Sequence, residues 1–278
     1  MNDNLLLYIL YGLVSGFSEY TPVSASAHQA LFSMLLKFDS YWPMLRFFVH
    51  GGALGAFVLL YWQRLNHIYQ ELRLIMLPPR RRKRPPDVDT VLDVRLAMMA
   101  LIPAMIGAIC SAFMAKADTN LFWLAFLLIG GAAAIYVPNY VPGGNLKTKA
   151  MSPLDGLLLG LCAGCSVIPG ISRVGLMLAI GLLRKCDRSY ILDMALLISG
   201  ATLLGMMAVD MLCIPFGGFA GFSFLHLFGC LLAAAASFGG GIGAILMMRF
   251  LVVKTGFSGF AFYGWGLGLF SFILYLMV

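Results

Sequence analysis

Seven polar side chains, Ser15, Ser18, Glu19, Thr21, Ser24, Ser26 and His28, fall within fourteen residues of an otherwise apolar run, GLVSGFSEYTPVSASAHQALFSMLL, at 12–36. Glu19 is one of only two glutamates in the chain; the other, Glu71, lies in an evidently polar segment. A carboxylate in sequence this apolar is costly unless it is paired, hydrated or used. Glu19 has two uses open to it: ligation of a divalent cation, Mg²⁺ or Ca²⁺, that bridges a phosphate, or action as a general base. His28, nine residues further on, can activate a nucleophile or protonate a leaving group. A second charge, Arg173, stands in the apolar stretch IPGISRVG. A guanidinium is protonated at any working pH and needs an anion at that depth, from the protein or from a ligand. Pro169-Gly170-Ile171-Ser172 reads as a turn into a helix. Its first N–H groups, with the Ser172 hydroxyl and Arg173, make a phosphate site to which Ser24 and Ser26 can add. Plainer readings stand beside these: a structural Glu19–Arg173 ion pair, Ser24 and Ser26 as helix caps, and His28 as a packing residue.

The elements that must hold these groups follow from composition. The chain has 278 residues, of which 61% are hydrophobic and 11% charged, with a mean hydropathy of +0.90. A soluble core of that composition would have no surface left to face water, so an all-α polytopic membrane protein is expected. Pro22 divides the first polar run into two short helices with a polar elbow. Non-helical backbone at membrane depth is tolerated only where protein or a water-filled cavity surrounds it, so this stretch, 4–37, reads as a re-entrant hairpin. A second broken region, 154–184, is split at 166–172. Six spans are expected near 41–62, 95–115, 121–140, 190–214, 223–250 and 257–278. Residues 63–92, with five consecutive basic residues from Arg80 to Arg84 between proline pairs, read as an exposed linker.

Charge placement tests the layout. If both broken regions return to the side they entered and the 63–92 loop is cytoplasmic, 15 of the 19 Lys and Arg fall inside. Only Lys37, Arg46 and Lys116 fall outside, with Arg173 buried. Both termini are then outside, and the opening Met-Asn-Asp-Asn lacks the basic region of a cleavable signal peptide. The net charge of +7 comes largely from the one loop and points to anionic lipid headgroups, with no nucleic acid partner expected. Gly12-x3-Gly16 before Pro22-Val-Ser-Ala-Ser-Ala is echoed by Gly156-x3-Gly160 before Pro169-Gly-Ile-Ser-Arg-Val. Hairpins entering from opposite sides are the mark of an inverted-topology repeat, about 1–140 and 150–278 within a single membrane domain, with a ligand site near the midplane.

Other polar residues read more plainly. His50 is mid-span at a less polar position, a hydrogen-bonded interior residue. Asp193 falls in the first turn of its helix, and Asp210 and Arg95 lie near span ends at the interface. Cys162-x-x-Cys165, with no second pair or nearby histidine, reads as packing. The Gly239-Gly240-Gly241-x-Gly243 run lacks the Lys or Ser of a nucleotide loop and reads as close helix packing.

At its two motifs the sequence resembles the undecaprenyl-pyrophosphate phosphatase family, the bacitracin-resistance type of bacterial membrane phosphatase. Members carry two glutamates four apart, then Pro-Val-Ser-Ser-Thr-Gly-His; the second motif is Pro-Gly-x-Ser-Arg-Ser followed by Thr. Here these are Ser15-x3-Glu19…Pro22-Val-Ser-Ala-Ser-Ala-His28 and Pro169-Gly-Ile-Ser172-Arg173-Val174…Met177. The resemblance implies a homodimer in the bacterial inner membrane with an outward-facing site. It also implies release of phosphate from a polyprenyl pyrophosphate to regenerate the monophosphate carrier lipid. Glu19 would be the retained acidic residue, His28 the histidine, and Ser172 and Arg173 phosphate binders. Ser15, Ala25, Val174 and Met177 depart from the motifs, and one lost transition-state contact can cost about 10²-fold in rate. Three functions therefore stand: a divergent phosphatase, a lipid-phosphate carrier or flippase, and a silent lipid-binding partner of other envelope proteins.

Overall fold

Asn4 accepts from the Leu6 N–H and starts α1 (Leu5–Glu19), which ends two residues short of Pro22's ring. After the elbow at 20–24, Ser24 caps α2 (Ala25–Leu36), which Lys37 closes in the left-handed region. A computed structural model describes residues 4–38, 42–114, 120–217, 223–254 and 257–277. Residues 1–3, Tyr41, Ala115, Lys116 and Val278, on which some of the sequence expectations fall, lie outside them.

Eight more α-helices follow among the described residues. They are α3 (Pro43–Met76), α4 (Val88–Met114), α5 (Leu121–Tyr136), α6 (Pro153–Cys165), α7 (Arg173–Leu183), α8 (Arg188–Gly217), α9 (Phe224–Lys254) and α10 (Gly259–Met277). Of these, α3, α4, α5, α8, α9 and α10 are long and apolar enough to cross a bilayer, so the protein is a multi-pass membrane protein. The other four are too short: α1, the longest at 15 residues, reaches roughly 22 Å against a hydrocarbon core of about 30 Å.

The expected linker at 63–92 is mostly helix. The long apolar run of α3 continues as helix to Met76, and α4 begins at Val88, leaving 77–87 as the connection. Polar side chains on the outer face of a helix do not break it, and the one buried glutamate has partners. Glu71 is buried and takes the Arg84 guanidinium and the Asp87 N–H, the latter at 2.8 Å, which folds the basic connection back onto α3.

The packing of α1 and α6 rests on small residues. Helix α1 lies along α9 and α6 along α4, while α5 lies along α10. A Cβ on Gly12 or Gly16 would come within 2.1 Å of the Ala233 or Ser237 carbonyl oxygen of α9. One on Gly156 or Gly160 would meet the Leu96 or Ala100 carbonyl of α4 at 2.8 or 2.1 Å. Backbones that approach so closely need glycine at the crossing. The connected core runs through Phe57, Leu159, Leu178, Leu196 and Ile245, joining α3, α6, α7, α8 and α9.

Candidate functional site

The two elbows meet. Gly170 N–H donates to Ser24 Oγ at 2.9 Å, and Ser172 Oγ donates to the Thr21 carbonyl at 3.3 Å. Ser26 Oγ lies 3.2 Å from Ser24 Oγ and donates to the Ser166 carbonyl at 3.3 Å. Ser24 and Ser172 cap α2 and α7 as well, accepting from Ala27 N–H and Gly175 N–H. Capping and cross-linking are thus done by the same hydroxyls. Gly170 has φ +103°, and a Cβ there would sit 2.8 Å from that of Leu127, so the turn that brings the elbows together requires glycine. The Tyr20 hydroxyl anchors the first elbow to the Ala53 carbonyl of α3 at 2.9 Å.

Where the elbows meet, a cavity of about 250 Å³ opens, with Arg173, Ser26, Ser166, His50, Arg46 and Gln29 among its walls. Arg173 reaches into it from the first turn of α7. Its Nε donates to Ser166 Oγ at 3.3 Å, and its Nη2 lies 3.0 Å from Met206 Sδ. Its Nη1 is 3.5 Å from Glu19 Oε2 but is buried without a hydrogen bond. The Glu19–Arg173 pair is therefore real, an ion pair that Nη1 makes without a hydrogen bond.

Glu19 also faces His50, whose Nε2 stands 3.9 Å from Glu19 Oε1. His50 Nδ1 lies 2.7 Å from Asp210 Oδ2; a carboxylate only accepts, so Nδ1 carries the hydrogen. Asp210 Oδ1 in turn pairs with Arg46 Nη2 at 3.0 Å, and that nitrogen also lies 3.4 Å from Ser111 Oγ. A continuous chain of polar contacts runs Arg173–Glu19–His50–Asp210–Arg46 across α7, α1, α3 and α8, each member at most 8% exposed. Asp210 is not at the interface as its place in the sequence suggested: it is 1% exposed, held by the Arg46 cation on one oxygen and the His50 N–H on the other. Asp193 likewise lies beyond the first turn of α8, where it accepts from the Tyr61 hydroxyl at 2.7 Å.

The structure brings Glu19, Ser24, Ser26, Gly170, Ser172 and Arg173 together; His28 shares a small cavity with Ser24, Gly170 and Ser172 but does not line the one that holds Arg173. His28 Nδ1 lies 2.7 Å from the Ser24 carbonyl of its own helix, and its Nε2 accepts from the Tyr263 hydroxyl at 2.6 Å. It faces α10, on a separate apolar groove that also takes in Leu13, Phe17, Phe260 and Tyr263. Sequence reasoning did not group Arg46, His50 and Asp210 with the site. Their signal was the one used for Glu19 and Arg173, an ionisable residue inside an apolar run.

A divalent cation takes six to eight oxygen ligands, or about six with waters for Mg²⁺. Among the described residues no three His, Cys, Asp or Glu converge as a metal cluster. Glu19 has a cation and an imidazole within 4 Å, and Asp210 is committed to two partners. These residues do not by themselves fit a protein-held metal.

Residues 8–270 match the family model described as bacitracin resistance protein BacA. Similar curated proteins are each named undecaprenyl-diphosphatase. One, from Halothermothrix orenii, is 25% identical over 96% of both chains. Another, from Desulforapulum autotrophicum, is 29% identical over 95% of this chain and 96% of its own. A third, from Methanobrevibacter smithii, is 25% identical over 97% of both. The chain belongs to the BacA family.

Proposed function

We propose that this member of the BacA family hydrolyses undecaprenyl, or a related polyprenyl, pyrophosphate to the monophosphate carrier lipid and phosphate. The observation that carries the reading is Arg173: a buried guanidinium on a cavity wall with Nη1 unpaired by any hydrogen bond. It stands where a terminal phosphate needs a forked donor. In the reaction a water oxygen bonds to the terminal phosphorus as the bridging P–O bond breaks, and the lipid phosphate leaves with the electron pair. Such transition states spread charge over the equatorial oxygens, so positioning and cationic stabilisation matter most. Arg173 supplies the charge, and the Ser172 and Gly170 turn with Ser24 and Ser26 shapes the cradle. Glu19 lies beside the guanidinium to orient water. His28 takes part through Ser24, holding the elbow. Glu19 is the carboxylate beside Arg173 that Mg²⁺ or Ca²⁺ carried with the diphosphate would meet.

The two elbows, the exchange of α1–α9 contacts for α6–α4 contacts, and the paired glycine stripes support two re-entrant hairpins in an inverted repeat. With the basic connection at 77–87 cytoplasmic, the cavity would open toward the outer face of the bacterial inner membrane. A homodimer is part of the same reading.

A second reading, a polyprenyl-phosphate carrier or flippase, is favoured by one observation. Val174 and Met177, at motif positions where the family has Ser and Thr, are fully buried in the core, and Ser15 Oγ is buried without a hydrogen bond. Phosphate release from C15 or C55 polyprenyl pyrophosphate decides between them, measured with Mg²⁺, with Ca²⁺ and with EDTA. Turnover that Arg173→Ala lowers by more than about 10²-fold is expected. No turnover, with Arg173-dependent lipid binding, would support the carrier. Ser15→Glu with Ala25→Ser should then still leave hydrolysis absent.

A further inference from the structure

We infer that Arg46 is a second phosphate-binding guanidinium, and that the cavity between Arg46 and Arg173 selects a diphosphate over a monophosphate. The inference rests on the lipid-pyrophosphate reading and names where the second phosphate sits. Both arginines line the same cavity of about 250 Å³. That is below the 300–1,000 Å³ typical of sites for whole drug-sized ligands, a size suited to a headgroup with its chain left outside. The two guanidiniums come from unrelated elements, α3 and α7, and are held apart by the intervening Glu19, His50 and Asp210. Two linked phosphates carry enough oxygens to meet a guanidinium at each end of that chain.

The arrangement also fits what a buried arginine requires. Arg46 sits in the second turn of α3, 8% exposed, with its recorded partners, Asp210 and Ser111, both on Nη2. A purely structural ion pair needs no open cavity against it, yet Arg46 shares this one with Arg173, whose Nη1 faces Glu19 at 3.5 Å without a hydrogen bond. Asp210 acts as a positioning residue, fixing Arg46 on one oxygen and His50 on the other. Asn120, which lines the same cavity, adds an uncharged amide donor.

The test is equilibrium binding to the purified, full-length protein. Its probes are a non-hydrolysable C15 methylenediphosphonate, C15 monophosphate and inorganic pyrophosphate. Removing Arg46 alone would strand Asp210, so the main variant is Arg46→Gln with Asp210→Asn, in which the amide oxygen still accepts from His50. Wild type should bind the diphosphonate more tightly than the monophosphate. The double variant should lose about 10- to 100-fold for the diphosphonate, with monophosphate affinity little changed. Arg46→Lys, which keeps the charge without the fork, should fall between. Inorganic pyrophosphate should show the same preference if the headgroup alone is read; its failure to bind while the diphosphonate binds would place recognition in the chain and overturn the inference. An unchanged diphosphonate preference in the double variant, or equal losses for both lipids, would also overturn it while leaving the lipid-pyrophosphate reading intact. If wild type binds neither lipid, or Arg173→Ala binds both normally, that underlying reading fails instead.

Discussion

Glu19 has a guanidinium at 3.5 Å on one oxygen and an imidazole at 3.9 Å on the other, so its charge both holds the site together and competes with an incoming anion. Replacing it with Gln separates these roles. Glu19→Gln should lower thermal stability, since a buried cation loses its counter-charge at a cost of about 1–3 kcal/mol. It should bind the diphosphonate at least as tightly as wild type, because Arg173 is released. Phosphate release should nevertheless fall by about 10²-fold if the carboxylate orients water. Loss of binding together with turnover would make Glu19 structural. His28 gives the complementary case. His28→Gln can keep a contact to Tyr263 and should cost far less turnover than Arg173→Ala; an equal loss would move the proton chemistry to the His28 side of the elbow. At this scale Glu19 and Arg173 were legible because each is an isolated charge in an apolar run. The link to Asp210 was not, since His50 and Asp210 are 160 residues apart and nothing local ties them.

Helices α1 and α6 are short, glycine-striped and wedged against α9 and α4. Gly16→Ala and Gly160→Ala each place a methyl group 2.1 Å from a carbonyl oxygen, so helix pairs must separate. Each should lower the temperature at which the detergent-solubilised protein loses its monodisperse peak, and each should widen the elbow that the same helix feeds. Gly239→Ala on α9 meets nothing within 4 Å and should be neutral or gain about 0.5–1 kcal/mol from helix propensity. Equal effects at all three positions would mean the stripe does not set the packing. The breaks at Pro22 and Pro169 and the glycine spacing were readable in the sequence, because proline and glycine act locally. The continuation of α3 to Met76 was not, because residues such as Glu71 look like loop until Arg84 folds back to pair with them.

For the whole molecule, orientation rests on charge rather than on contacts. Arg64, Arg84, Arg184 and Arg249 gather on the side of the 77–87 connection. Arg64 pairs with Asp93, Arg84 with Glu71, and Arg184 Nε with Asp155 Oδ1 at 2.7 Å, while Arg249 lies 4.5 Å over the Tyr61 ring. The six spans were legible because sustained hydropathy needs no tertiary information; the expectation that the short helices turn back rests on the charge count. If both hairpins return, Lys37 and Lys83 lie on opposite sides of the membrane. In a background with the six native cysteines replaced, Lys83→Cys should react with a membrane-impermeant maleimide only after permeabilisation, and Lys37→Cys in intact cells. Were the first hairpin to span instead, α1 would begin on the side opposite to α2's end. A cysteine at Asn4 would then label from the other face than one at Lys37. Labelling of both from outside is the result expected of a returning hairpin whose elbow lies against Arg173 and Gly170.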